Sequence, residues 1–379
     1  MISANAADEI PLVNLSAKRD RHSIVAAGTE NIYQGHPSTV LSDDGKRLFC
    51  VWTKDHGGKC GPAAESLDGG RTWKRVDDRF PKVYSQTHMN CPILQKLSMP
   101  DGKERWLVFS RKGKWDRAAG SPGRLGVMAS DDQGFSWRET GVFDLPSSMP
   151  PTGFIRLKDG SCAIFGQERK NPKKQNTDRT NDMSIWMSVS KDGGVTWGER
   201  RKVAAADKKN LCEPFALRSP DGNEICLLMR ENRHTARSMM CFSRDEGKTW
   251  TEPVDTPWGL TGDRHEGVML PDGRWVIAFR DWAIGSSTYK QYVAWVGTYD
   301  DIRNARPGQY RIKLVHSYTN NGDVGYSGVE LMPDGEIVCT TYCKYWKDKR
   351  KHSVVSTRFR IEETDLLAAS RKTVPEQKR

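Results

Sequence analysis

One eight-residue phrase, Ser-x-Asp-x-Gly-x-(Thr/Ser)-Trp, occurs four times in this chain, starting at Ser66, Ser130, Ser190 and Ser243. The starts lie 64, 60 and 53 residues apart, and a recurrence on that scale describes one supersecondary unit copied along an array. The phrase has the chemistry of a hairpin turn. Its Ser and Asp side chains can bond the local backbone, its Gly supplies a positive φ, and its Trp is expected to pack the turn onto its own sheet.

A second register sets the number of units. Asp-Gly pairs stand at Asp44-Gly45, Asp101-Gly102, Asp159-Gly160, Asp221-Gly222, Asp272-Gly273 and Asp334-Gly335, spaced by 51 to 62 residues. Each precedes a β-rich run such as Arg47-Leu-Phe-Cys-Val-Trp52 or Arg274-Trp-Val-Ile-Ala-Phe279. Asp-Gly between strand-like segments is among the strongest hairpin signals. Six units of about four strands each predict an all-β chain folded as a six-bladed β-propeller over residues 23–369. Ser23-Ile-Val-Ala26 is expected to join the last blade and close the ring. Blade five keeps only a remnant of the phrase at Gly297-Thr-Tyr-Asp300. Residues 1–22 read as an N-terminal extension and 370–379 as a charged, frayed tail.

The balance of 59 Lys+Arg against 48 Asp+Glu, a net +11, favours anionic partners. The charges are scattered and no nucleic-acid motif accompanies them, so a nucleic-acid partner is not expected. No apolar run reaches transmembrane length. The nine cysteines form no C-x-x-C pair and several lie in apolar runs, which predicts buried free thiols. The histidines lack ligand spacing, so neither a metal nor another cofactor is expected. Ala4-Asn5-Ala6 is similar to the small-residue end of an export cleavage region. That favours a secreted or periplasmic location if a signal was trimmed and a cytoplasmic one otherwise. Nothing in the sequence specifies the oligomeric state.

In a propeller the innermost strand of each blade starts at one mouth of the central channel, and the second strand returns to it, so loops there carry the site. Nine residues before the turn glycine stand His36, Pro151, Glu213, Arg264 and Tyr326, with His88 and Asn90 near the corresponding place in blade two. Seven to ten residues after it stand Asp55, Arg111, Arg169, Arg230, Arg280, Asp281 and Tyr342. A phenol, carboxylates and several guanidinia therefore converge by one counting rule.

With these residues in view, the chain resembles the sialidase (neuraminidase) superfamily, whose turns carry the same Asp-box phrase, over residues 23 to 362. Glu213-Pro-Phe-Ala-Leu-Arg-Ser-Pro-Asp-Gly222 leading to Arg230 is similar to that family's Glu, Asp-Gly turn and Arg, and Gly325-Tyr326-Ser327 to its Tyr-Ser. The resemblance implies a retaining exo-glycosidase acting on terminal α-linked sugars. Tyr326 would be the nucleophile, Glu213 its base, Arg230 a clamp on the substrate carboxylate, and Asp55 the general acid, with His56 able to serve instead. A neutral phenol suits an anomeric carbon that bears a carboxylate, because an anionic Asp or Glu would be repelled. The chain departs from the family where the first clamp arginine is expected: Gln34-Gly35-His36-Pro37 carries His36 there. For the third clamp, Lys290 is nearest by position, and Arg264 and Arg280 are alternatives by the counting rule. Tyr342 and these basic groups are the expected substrate contacts, and the expected partner is an anionic glycan. Two other readings stay open. One is a uronate lyase or non-sialic glycosidase using Tyr326 with His36 or His265, and the other is a non-catalytic glycan-binding propeller.

Overall fold

The computed structural model describes residues 10–99, 102–113, 123–144, 149–169 and 183–372. Ala4-Asn5-Ala6, Asp101 and the tail beyond residue 372 lie outside the described residues. Six antiparallel sheets follow one another around a ring, each meandering outward from the axis. Their innermost strands are Gln34–Leu41, His88–Ser98, Gly153–Arg156, Leu211–Arg218, Gly262–Met269 and Ser327–Leu331. The ring closes where His22–Ala26 pairs with Ser353–Arg360 as the outermost strand of blade six. The segment read as an extension also contributes Leu12–Asn14, which pairs in parallel with Tyr310–Val315 as a fifth strand of blade five. At the other end a helix, Ile361–Lys372, runs past residue 369, where fraying was expected.

All six Asp-Gly glycines adopt a left-handed φ of 69° to 85°, and each donates its N–H to the carbonyl three residues earlier, as from Gly45 to Ser42 at 2.9 Å. A side chain with Cβ is disfavoured in that conformation, which is why glycine recurs. The phrase itself turns the third strand into the fourth. In blade one the Ser66 hydroxyl donates to Asp68 at 2.7 Å and accepts from Gly70 at 2.8 Å, while Asp68 accepts the Thr72 N–H at 2.9 Å. The remnant in blade five has become a short helix, Tyr299–Arg303, capped by Thr298.

One expectation is corrected. The Trp of the phrase reaches beyond its own sheet to the preceding blade. Trp197 meets Phe109 of blade two, and Trp250 meets Phe165 of blade three, both edge-on at 5.7 Å. Neighbouring blades lie face to face, so the turn of one overhangs the face of the one before it. Between blades one and two Phe49, Phe80, Trp106 and Trp137 form a shared apolar layer. The nine cysteines are free and buried.

Candidate active site

The innermost strands of blades one, two, four and five carry a β-bulge near the mouth, seen as register shifts at Gly35/Ser38, Met89/Ile93, Cys212/Phe215 and Asp263/Glu266. The bulged residues have positive φ: His36 at 55°, Asn90 at 66°, Cys91 at 55°, Glu213 at 47° and Arg264 at 56°. Non-glycine residues rarely adopt this conformation, and bulges next to active sites re-aim side chains. In three of the four blades a proline follows at once: His36-Pro37, Cys91-Pro92 and Glu213-Pro214. Proline lacks the N–H that a ladder needs, so a proline in an inner strand marks a bulge. That signal was available in the sequence and points to Cys91 as well as to the two residues already singled out.

A cavity of about 360 Å³ opens at this mouth, lined by His36, His56, Arg111, Glu213, Arg230, Arg280 and Tyr326, among others. At its floor the Tyr326 hydroxyl donates to Glu213 Oε1. The other Glu213 oxygen accepts from Arg230 Nη1 at 3.0 Å. Burial, reinforced by the Glu213 charge, raises the Tyr326 phenol well above its ordinary range. It therefore stays protonated until a base takes its proton, and Glu213 stands where that base must be.

Asp263, missed by sequence reasoning, lies completely buried between two guanidinia. Arg230 Nε is 3.0 Å from Oδ1, Arg280 Nη1 is 3.4 Å from Oδ2, and His234 Nε2 is 2.9 Å from Oδ1. Burial opposes its charge, but Arg230, His234 and Arg280 outweigh that and hold the carboxyl far below the usual range. Arg280 is spent further on the Val324 carbonyl and, at 3.2 Å, on the Tyr342 hydroxyl. Gly325 makes this approach possible: with φ at 96°, a Cβ there would come within 2.7 Å of Arg280 Cβ.

A second hub is Asp323, also missed. It accepts from Tyr33 and Tyr342 hydroxyls at 2.9 Å each and meets His56 Nδ1 at 3.0 Å. Burial opposes ionisation, yet the bond from His56 and the charges of His352 and His56 keep this carboxyl well below its ordinary range. His36 stands edge-on to Tyr326 at 4.8 Å and to His56 at 4.6 Å. Burial pushes its ring well below an ordinary imidazole, with His56 and Arg280 adding to the effect. It is neutral, and with Nδ1 facing the Gly57 N–H at 3.3 Å it can present Nε2–H to the cavity.

Of the residues read from the sequence, Tyr326, Glu213, Arg230, Arg280, His36, His56, Asn90 and Arg111 line this cavity. Tyr342 lies behind them, fully buried, joining Arg280 to Asp323. Asp55 does not line it. Its φ of 67° places it in an exposed turn whose next residue, His56, does face the cavity. Arg264 is buried and paired with Glu266 at 3.2 Å. Lys290 lies over Trp282 and Tyr289, each at 5.4 Å, and His265 is buried with Nε2 2.8 Å from the Leu260 carbonyl. None of these three lines the cavity. Among the described residues no cluster of three His, Cys, Asp or Glu side chains could hold a metal ion. No helix in them is long and apolar enough to cross a membrane.

A family model described as a BNR repeat-like domain matches residues 98–352. No curated protein matches the chain. Among solved structures, a protein of unknown function from Dyadobacter fermentans aligns over 89% of this chain and 98% of its own, with a TM-score of 0.65 and 16% identity. An α-L-arabinofuranosidase of Fusarium graminearum, bound to an iminosugar inhibitor, aligns over 90% and 98%, with a TM-score of 0.62 and 13% identity. The NanB sialidase of Streptococcus pneumoniae aligns over 90% and 71%, with a TM-score of 0.60 and 11% identity. At these identities the likeness is one of fold.

Proposed function

The chain belongs to the family of BNR repeat-like domains, and on that premise we propose that it is a retaining glycoside hydrolase removing terminal α-linked, acidic sugars from glycans. The observation that carries this reading is the hydrogen bond from Tyr326 to Glu213 at the floor of an open, sugar-sized cavity. Fold likeness to a sialidase and an arabinofuranosidase is in keeping with it.

In the first step Tyr326 Oη bonds to the anomeric carbon and its proton passes to Glu213. The glycosidic bond breaks with its electron pair on the leaving oxygen, which takes a proton from His56. We assign the acid to His56 over Asp55 because its ring faces the cavity and Asp323 holds its Nδ1 at 3.0 Å. In the second step water attacks the anomeric carbon as the bond to Tyr326 Oη breaks with its electron pair on the phenol oxygen; His56 takes a proton from the water, and Glu213 returns the first proton to Tyr326. Arg230 pairs with both Glu213 and Asp263, Arg280 pairs with Asp263, and His36 donates to a ring hydroxyl.

The test is a panel of fluorogenic α-glycosides that includes a sialoside, hexuronides and an arabinofuranoside. Wild type should release the fluorophore from at least one acidic sugar, and Tyr326→Phe should not. A fluorinated glycoside should trap a sugar on the Tyr326 peptide by mass spectrometry. No release across the panel by folded protein would sink the hydrolase reading. A second reading, a uronate lyase with Tyr326 and His36 as its acid and base, draws on their edge-on contact at 4.8 Å. It would show as new ultraviolet absorbance from an unsaturated product.

A further inference from the structure

Arg111, at the end of the second strand of blade two, lines the cavity without a carboxylate partner among the described residues. Its Nη2 rests on the Met89 sulfur at 2.8 Å, and its Nε is buried with no hydrogen-bond partner among the described residues. Burial lowers its proton affinity, the mark of a guanidinium desolvated with no carboxylate beside it. The other two guanidinia on the wall are matched already: Arg230 by Glu213 and Asp263, and Arg280 by Asp263. Counting those groups, the surroundings of Tyr326 hold two positive and two negative charges. In a ring of six, blade two lies directly across the axis from blade five, which carries Arg280. Cys91, on the same cavity wall, has both Arg111 and Glu213 in its surroundings.

We infer that Arg111 is the anion-recognition residue of this site, and that the acidic sugar it selects is an aldose-type hexuronate rather than a ketosidic acid. This rests on the reading of Tyr326 as the group that meets the anomeric carbon. A ketosidic acid bears its carboxylate on the anomeric carbon, so that carboxylate must sit beside the Tyr326 oxygen, where the guanidinia are neutralised. A hexuronate bears its carboxylate on the far side of the ring oxygen. With the anomeric carbon at Tyr326, that group is carried away from Arg230 and Arg280 toward the unmatched cation. A planar guanidinium can take the carboxylate in a two-bond fork that lysine cannot copy.

The experiment is a binding titration of wild type, Arg111→Gln and Arg111→Lys with galacturonate, glucuronate, N-acetylneuraminate and uncharged galactose, with a thermal melt showing each variant folded. Wild type should bind at least one hexuronate more tightly than N-acetylneuraminate or galactose. Arg111→Gln should weaken that hexuronate by about tenfold to a hundredfold, the size of a charged hydrogen-bond pair, with Arg111→Lys between. Galactose should be indifferent to either change. Hexuronate affinity unchanged in folded Arg111→Gln, tighter binding of N-acetylneuraminate, or no binding of any acid would each overturn the inference. Turnover separates it from the hydrolase reading. Arg111-dependent hexuronate binding without release from any aryl hexuronide keeps Arg111 as the selector and removes only the hydrolase.

Discussion

The substitution Glu330→Gln tests how far the axial channel is closed to water. Glu330 lies on the innermost strand of blade six, and its neighbours come from three other innermost strands: Thr39 of blade one, whose hydroxyl donates to Oε1 at 2.9 Å, Lys96 of blade two and Glu266 of blade five. Burial raises the Glu330 carboxyl from 4.5 to about 7; Thr39 and Lys96 oppose the rise and Glu266 adds to it. At 1.36 kcal/mol per tenfold in proton affinity, that interval amounts to about 3 kcal/mol. The sign follows from which state holds the proton. Below pH 4.5 both folded and unfolded chains are protonated here. Between 4.5 and about 7 the unfolded chain ionises while the folded one keeps its proton, so this group's contribution to stability falls as pH rises, then levels off. An amide in place of the carboxyl would keep the shape and an acceptor for Thr39 but would not ionise. Urea denaturation from about pH 4 to about pH 8 should therefore show the variant level with wild type at the acid end and more stable by up to about 3 kcal/mol at the alkaline end. Titrating groups that do not face Glu330 are common to both proteins and cancel in the difference, which leaves its charged neighbours Glu266 and Lys96 as the groups whose own titration the substitution would alter. A wild-type-to-variant difference that does not change with pH would refute the reasoning and mean that water reaches Glu330 freely.

Asp263→Asn should cost about 3–5 kcal/mol, because it leaves Arg230, Arg280 and His234 around a buried neutral amide; an unchanged urea midpoint at about pH 7 would contradict that. Gly325→Ala should lower turnover more than it lowers stability, since its Cβ would push on Arg280 beside Tyr326; a variant with wild-type kinetics would show the approach to be dispensable. Trp197→Ala should destabilise by roughly 2–4 kcal/mol through lost contact with Phe109 on the preceding blade. If it melts with wild type, the turns do not stitch blades together.

Much of the candidate site was legible because each blade is a copy of one strand plan. Counting from the Asp-Gly turn therefore reached His36, Glu213, Arg230, Arg280 and Tyr326, all on the cavity wall. The same rule failed where a single residue of turn decides direction. Asp55 and His56 are neighbours, yet only His56 faces the cavity. It also reached Arg264, which shares the bulge position of Glu213 but turns to Glu266. Asp323 carried no motif, standing in a loop before the last blade, and Asp263 stood one place from a counted residue. Their importance comes from partners distant in the chain: Tyr33 lies 290 residues from Asp323, and His234 lies 29 from Asp263.

The repeated turns, by themselves, determined six blades, because the φ of a glycine and the bonds of a Ser or Asp side chain are local and need no distant partner. They also determined at which end of the blades the counted residues converge. Only the tertiary structure decided how the charges pair there. Asp263 is claimed by guanidinia from blades four and five, Glu213 is shared between Tyr326 and Arg230, and Arg111 is left without a carboxylate among the described residues. Such pairing depends on distances between blades, and those are set only when the ring closes.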